Sequence, residues 1–240
     1  MGVTIIRAAP QSQIDPQSQM EALSKYALRH LRPHQVIGLG TGRAASAFIN
    51  ALGRSLIAVR GVPTSRASEE LARSLGIEIV ALGDVPKIDL DFDGADEVDP
   101  HLNVIKGYGG ALVREKVVAA ASRRVVILVG PEKLVPRLGA RGRLPIEVVR
   151  FARDFVVNQV ARLGLKATDR RSEDGREYLS DNGNSILDCA VRGIRSPARL
   201  ERELLSIPGV VGTGLFVAMV DRVLIAPVGG KPVGVLKRKG

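Results

Sequence analysis

Two stretches of this chain concentrate side chains able to do acid–base chemistry. The first is DLDFDGADEVD, residues 89–99. Leu90 and Phe92 alternate with Asp89, Asp91 and Asp93, the pattern of a strand that ends at Gly94. Asp93, Asp96, Glu97 and Asp99 then crowd one loop. Carboxylates that close repel one another. They can move protons or bind sugar hydroxyls, or they can form a solvated acidic turn. The chain as a whole carries a formal net charge of +10, so an acidic cluster beside glycine-rich loops stands out. Asp89, Asp91, Asp93 and Gly94 also match the first half of a calcium-binding EF-hand loop. The twelfth position of that loop, which needs a bidentate glutamate, is Pro100, so calcium is not expected.

The second stretch is IKGYGGALVREK, residues 105–116. Lys106 precedes Gly107, Gly109 and Gly110, which open a helix. Backbone N–H groups at such a turn can stabilise an oxyanion. Glu115 follows within the helix, flanked by Arg114 and Lys116. Taken alone, it reads as an ordinary helical glutamate with i,i+4 partners.

A third stretch, GLGTGRAASAF at residues 38–48, has no acid or base but three glycines at alternate positions. Gly38 and Gly40 fit the dinucleotide pattern G-x-G-x-x-G, but the third glycine position is Arg43. The next strand segment, SLIAVRGV, lacks the acidic residue that would hold a ribose hydroxyl. The phosphate-loop pattern G-x-x-x-x-G-K-[ST] is absent as well. Two readings remain: a helix N-terminus that holds an anion, most simply one phosphate, or a tight turn with no ligand.

These loops need elements to position them. Asp15-Pro16 caps an amphipathic helix over PQSQMEALSKYALRHL. VIGLG reads as a buried strand, AASAFINAL as a helix and SLIAVRGV as a strand. SRASEELARSLG is a helix capped by Ser65 or Ser68, and IEIVAL, IDLDFDGAD and VVILVG are strands, with the helix GGALVREKVVAAAS between the last two. This alternation over the first 130 or so residues predicts an open, mostly parallel Rossmann-like sheet with helices on both faces. Ligands of such sheets lie at the carboxyl ends of the strands, so the loops at 38–42, 93–99 and 107–110 belong there. After Pro145 the order becomes β-α-β-β-α-β, the pattern of a smaller ferredoxin-like α+β domain. VVGTGLFV is its final strand, and DRVLIAPV and VGVLKRK return to the main sheet. The boundaries are then 1–143 with 218–240 for the main domain and 144–217 for the insertion. MGVTIIRAAPQSQ reads as a short strand or tail, too polar for a signal peptide.

Composition narrows the function classes. No apolar run is long enough for a transmembrane helix. One cysteine, Cys189, rules out a disulfide within the chain, and a cytoplasmic protein is expected. The basic balance favours anionic partners. Aromatics are 3% of residues and tryptophan is absent, which supplies few stacking platforms, so nucleic acid is not the expected partner. His30 and His34 straddle Pro33, so they do not share one helix face as metal ligands, and no metal site is expected.

In one order along the chain stand GLGTG, PTSRAS, DGADEVD, IKGYGGALVREK, EKLVPRLG, LPIEVV, DNGNSILD and PGVVGTGLF. Together they resemble ribose-5-phosphate isomerase of the A type, from about residue 18 to the C-terminus. The resemblance implies interconversion of ribose 5-phosphate and ribulose 5-phosphate in the pentose phosphate pathway, without metal or organic cofactor. It implies a homodimer or homotetramer. It casts Glu115 as the base that shuttles a proton between C1 and C2. It places Asp93, Asp96 and Lys106 around the reacting carbons and hydroxyls, with Asp93 also assisting ring opening. Lys106 and the N–H groups of Gly107 to Gly110 would stabilise the enediolate. Gly40, Thr41, Gly42, Thr64, Ser65 and Ser68 match loops around the substrate, as Lys133 matches a lysine near it.

Four positions depart from the family pattern. Arg43-Ala44 replaces a pair of phosphate-binding hydroxyls. Met20 stands where the family often keeps a lysine. Tyr108 stands where it keeps glycine; if that site needs φ > 0 the tyrosine is strained, and otherwise its ring or hydroxyl makes a contact. The expectation for Arg43 is a guanidinium–phosphate contact that replaces the hydroxyls. The rivals are a non-catalytic sugar-phosphate sensor and an acyl-CoA-using transferase of related architecture. Asp93, Asp96, Lys106 and Glu115 occurring together argue against both.

Overall fold

The structure, a computed structural model, describes residues 15–229 and 231–238. The MGVTIIRAAPQSQ segment lies outside the described residues. The chain begins with helix α1, Pro16–Leu28, capped by Asp15. Strand β1, Val36–Leu39, then leads into α2, Arg43–Gly53. Next come β2 (Arg60–Pro63), α3 (Arg66–Ser74) and β3 (Glu78–Ile79). They are followed by β4 (Leu90–Gly94), β5 (Glu97–Val98), β6 (Val104–Ile105), α4 (Leu112–Ala120) and β7 (Val125–Val129). The rest comprises β8 (Arg143–Val148), α5 (Arg153–Arg162), β9 (Lys166–Asp169) and β10 (Ser185–Ala190). It ends with α6 (Pro197–Leu205), β11 (Val210–Thr213), β12 (Leu215–Phe216), β13 (Arg222–Ile225) and β14 (Gly234–Lys237).

The main sheet has seven strands in the order β14-β13-β7-β4-β1-β2-β3. All its pairs are parallel except β13 with β14. From β1 the chain winds outward through β2 and β3. It then crosses back to β4 and winds the other way. The reversal opens a crevice between the carboxyl ends of β1 and β4, the place where such sheets bind ligands. A second sheet, β11-β8-β10-β9, is antiparallel throughout and carries the expected β-α-β-β-α-β order. The architecture is therefore the expected α/β sheet with a smaller α+β part.

Burial explains why these segments hold. The continuous apolar runs VIGL and VVILV are buried along their whole lengths, as strands covered on both faces must be. Phe48 of α2 stacks on Phe92 of β4 with ring centroids 4.4 Å apart, which seats α2 on the sheet. Ile146, Val148, Leu187 and Cys189 share a separate core with Val156 and Val160 of α5. There burial pushes the Cys189 thiol up to about 12, the behaviour of an inert packing residue.

Three expectations need correction. In SLIAVRGV only Arg60 onward forms strand, and Leu56 is fully exposed. IEIVAL keeps only Glu78–Ile79 in the sheet, at its edge. VVGTGLFV is two strands, not one: it breaks at Gly214, whose N–H donates to Pro145 and whose carbonyl accepts from Lys106. Its second part, β12, joins β6 and β5 in a third, antiparallel sheet that the sequence did not suggest.

Candidate active site

The crevice between β1 and β4 is built by backbone approach. A Cβ on Gly40 would stand 2.2 Å from the Asp93 carboxyl, so only glycine lets the two strand ends meet here. Asp93 Oδ1 then accepts the N–H of Thr41 at 3.1 Å and of Gly94 at 2.7 Å. Gly42, at φ +97°, turns the chain into α2 with no side-chain cap. The helix N-terminus is left open toward the crevice.

Lys106 enters from the end of β6. Its Nζ lies 2.9 Å from Asp93 Oδ2, 3.4 Å from Glu115 Oε2 and 2.6 Å from the Gly94 carbonyl, to which it donates. All three charged side chains are almost fully buried. Asp91, two residues before Asp93 on the same face of β4, is buried too, and its Oδ1 has no hydrogen-bond partner. Three buried carboxyls thus share one ammonium and cannot all remain carboxylates at little cost.

Their acidities follow from that arrangement. Burial pushes Glu115 up to about 8; Lys106 pulls against this, while Asp93 and Asp96 add to it. Burial and then Asp93 hold Asp91 well above the usual carboxylate range. Burial also raises Asp93, opposed by Lys106 and by its two backbone N–H donors. For Lys106 burial favours the neutral amine. Asp93 and Glu115 outweigh it and hold the ammonium above its ordinary range. The result is a fixed cation beside a carboxyl poised to exchange a proton near neutral pH.

Lys106 and Glu115 open onto a cavity of about 700 Å³, while Asp93 and Asp91 sit buried behind them and do not line it. Asp96, Lys106, Gly107, Gly109 and Glu115 line one end. Thr41, Gly42, Arg43, Ala44 and Lys133 line another part of the wall, with Met20 of α1. Arg43 is exposed at the first turn of α2, and its guanidinium makes no hydrogen bond or ion pair within the described residues. A free guanidinium beside an open helix N-terminus is suited to an anion.

Thr64, Ser65 and Ser68 are placed differently. They are buried behind Thr41, whose hydroxyl lies 2.8 Å from Thr64 Oγ1 and donates to Ser65 Oγ at 2.8 Å. Ser65 and Ser68 form the reciprocal cap of α3. These hydroxyls support the Thr41 loop and do not line the cavity.

The loop 107–110 also differs from expectation. The Tyr108 N–H donates to Asp96 Oδ2 at 3.0 Å and the Gly110 N–H to the Gly107 carbonyl at 3.0 Å, so neither is free for an oxyanion. Gly107 and Gly110 carry the positive φ angles, +99° and +86°, and Tyr108 does not, so the tyrosine is unstrained. Its ring packs 3.9 Å from the Arg143 guanidinium, and its hydroxyl donates to the Arg143 carbonyl. Sequence reasoning missed three residues that hold this loop, directly or through one another. Arg170 donates to the carbonyls of Gly107 and Tyr108, Tyr178 donates to that of Gly109, and Asp188 pairs with Arg170. All three residues lie sixty or more positions from the loop, and no local pattern marks them.

A parallel sheet whose switch point joins a buried carboxyl base, an ammonium and a helix N-terminus around one cavity defines a class. Such an arrangement suits the binding of a small anionic substrate and the movement of a proton beside a carbonyl. Comparison with known proteins narrows it. The family model of ribose 5-phosphate isomerase A (phosphoriboisomerase A) matches residues 60–230. A ribose-5-phosphate isomerase A from a Roseiflexus species is 41% identical over 89% of this chain and 94% of its own length. One from Thermococcus kodakarensis is 40% identical over 90% and 95%. The solved ribose 5-phosphate isomerase A of Methanocaldococcus jannaschii superposes with a TM-score of 0.88 at 36% identity, covering 93% of this chain and all of that one. A solved D-ribose-5-phosphate isomerase in complex with phospho-erythronic acid gives 0.89 at 36%, over 94% of this chain and 100% of that one. The chain belongs to the ribose 5-phosphate isomerase A family.

Proposed function

We infer that this chain interconverts ribose 5-phosphate and ribulose 5-phosphate, with Glu115 as the base. The observation that carries this is the buried Glu115 carboxyl, raised to about 8, facing the cavity 3.4 Å from Lys106. The open-chain aldose lies with its phosphate toward the N-terminus of α2, where Arg43 and Lys133 supply positive charge. Its C1 and C2 lie at Glu115. The Glu115 carboxylate takes the proton from C2, and the electron pair moves onto the C1 oxygen as an enediolate. Lys106 and a loop N–H stabilise that oxygen. Glu115 then returns the proton to C1, while the proton of the C2 hydroxyl passes to the C1 oxygen, leaving a ketone at C2 and a hydroxyl at C1. The base moves only between adjacent carbons. Asp96 binds sugar hydroxyls from the cavity wall, and Asp93 assists ring opening and holds Lys106 in place.

The test is incubation with ribose 5-phosphate in the presence of EDTA. Formation of ribulose 5-phosphate supports the reading. Binding of the sugar phosphate without conversion would establish the sensor instead.

The wider reading of the chain is a catalytic part, 1–143 with 218–240, into which 144–217 is inserted. Membership of β13 and β14 in the main sheet supports it. We read the protein as a cytoplasmic homodimer or homotetramer. Phe151, fully exposed beside the half-exposed Phe155, supplies an apolar surface of the kind subunit contacts cover. No helix among the described residues is long and apolar enough to cross a membrane.

A further inference from the structure

The loop between Gly107 and Gly110 contains three peptide planes, and its neighbours hold each of them. In a trans peptide the C=O of one residue and the N–H of the next point in opposite directions within one plane. Fixing the carbonyl therefore aims the N–H. In the first plane the Gly107 carbonyl accepts from Arg170 Nη1 at 2.7 Å and from Gly110 N–H, while the Tyr108 N–H donates to Asp96. In the third plane the Gly109 carbonyl accepts from the Tyr178 hydroxyl at 3.1 Å, and the Gly110 N–H turns back to Gly107. Both planes are satisfied at both ends.

The middle plane is not. Its carbonyl, that of Tyr108, accepts from the same Arg170 Nη1 at 3.1 Å. Its N–H, that of Gly109, has no partner among the described residues, and Gly109 lines the cavity. Arg170 itself has little freedom. It is buried, and its Nε and Nη2 donate to the two oxygens of Asp188 at 3.1 and 2.5 Å. One guanidinium thus locks onto a carboxylate on one side and grips two consecutive carbonyls on the other.

We propose that Arg170, held by Asp188, is a positioning residue that aims the Gly109 N–H at the oxygen on which the enediolate forms. The smaller α+β part of the protein then contributes to catalysis without touching substrate. The sensitivity is geometric: the carbonyl oxygen carries its charge only in the transition state and intermediate, so the N–H must already point there. This rests on the isomerase reading of the site. Failure of that reading would appear first as an inactive wild-type protein, whereas the test below compares variants with an active one.

The experiment is steady-state kinetics on Arg170→Ala and Arg170→Lys, with melting temperatures and binding of phospho-erythronic acid measured on the same preparations. That compound bears a carboxylate where the reacting carbons of the sugar would lie. One missing oxyanion donor lowers kcat by about 10²–10³-fold, so an N–H released from its aim should cost about 10²-fold in kcat. KM should stay within about three-fold, since ground-state binding is untouched. Affinity for phospho-erythronic acid should fall with kcat, and added guanidinium ion should restore part of the activity of Arg170→Ala. Lysine cannot hold both Asp188 oxygens and both carbonyls, so Arg170→Lys should show the same split even if the alanine variant does not fold. A folded variant that keeps wild-type kcat would overturn the proposal. So would one that loses kcat while binding phospho-erythronic acid at wild-type strength.

Discussion

Replacing Arg43 by alanine should weaken substrate binding while leaving the chemical step almost intact. Arg43 sits at the first turn of α2 on the cavity wall, and no partner within the described residues competes for its guanidinium. The helix N-terminus beside it is uncapped by any side chain, so its N–H groups remain in the variant as a weaker anion site. A hydrogen bond to a charged group contributes about 1.5–3 kcal/mol. Exposure and counterions place an exposed arginine at the lower end of that range, which corresponds to about a ten-fold rise in KM. The Debye length falls from about 10 Å at 0.1 M salt to about 3 Å at 1 M, so the gap between wild type and variant should narrow as salt rises. Arg43→Ser combined with Ala44→Thr should recover affinity through hydroxyls and show a weaker salt dependence. The assay is KM and kcat for ribose 5-phosphate across ionic strength. An unchanged KM in Arg43→Ala, or a loss confined to kcat, would show that Arg43 does not hold the phosphate.

Two further outcomes follow from the buried acids. Glu115 must be ionised to accept a proton and is raised to about 8, so kcat/KM should climb with pH up to a limb near pH 8; a profile flat from pH 6 to 9 would remove Glu115 as the base. Asp91 is raised by burial in the folded state, so the fold binds its proton more tightly than the unfolded chain does, and stability should fall as pH rises above the ordinary carboxylate range. Asp91→Asn removes that titration, so its melting temperature should drop less between pH 5 and pH 9 than that of wild type. Identical pH dependence in the two proteins would show that Asp91 is not held neutral.

How much of this could be read from the chain depends on how local the cause is. VIGL and VVILV announce buried strands because each is apolar throughout, and the alternation around them implies the parallel sheet. SLIAVRGV failed because four apolar residues do not secure a strand when only Arg60–Pro63 meets a partner. VVGTGLFV failed because Gly214 exchanges hydrogen bonds with two segments distant in sequence. At the site, Asp93, Asp96, Lys106 and Glu115 were legible as a set; the structure brings Asp96, Lys106 and Glu115 to one cavity and puts Asp93 behind them, paired with Lys106. The burial of Asp91 was not. Its signal was present as a matched spacing: Gly38 and Gly40 on one strand face Asp91 and Asp93 on the next, and a Cβ on Gly38 would stand 2.3 Å from Asp91. Reading that spacing requires knowing that β1 and β4 pair. Thr64, Ser65 and Ser68 were legible as polar residues near the loop, but only the fold shows that they brace Thr41. Arg170 and Tyr178 gave no signal, because their reach to the loop exists only once the second sheet packs against it.

The role of Glu115 as the carrier of the proton between the two carbons underlies the whole mechanism. It is tested most directly by turnover of ribose 5-phosphate in D₂O, with EDTA present, by wild type and Glu115→Gln. Wild type should form ribulose 5-phosphate with solvent deuterium appearing at C1. The glutamine variant should still bind phospho-erythronic acid yet lose at least about 10³-fold in both conversion and exchange, the scale of a missing general base. A Glu115→Gln protein that converts ribose 5-phosphate and incorporates deuterium at the wild-type rate would contradict it.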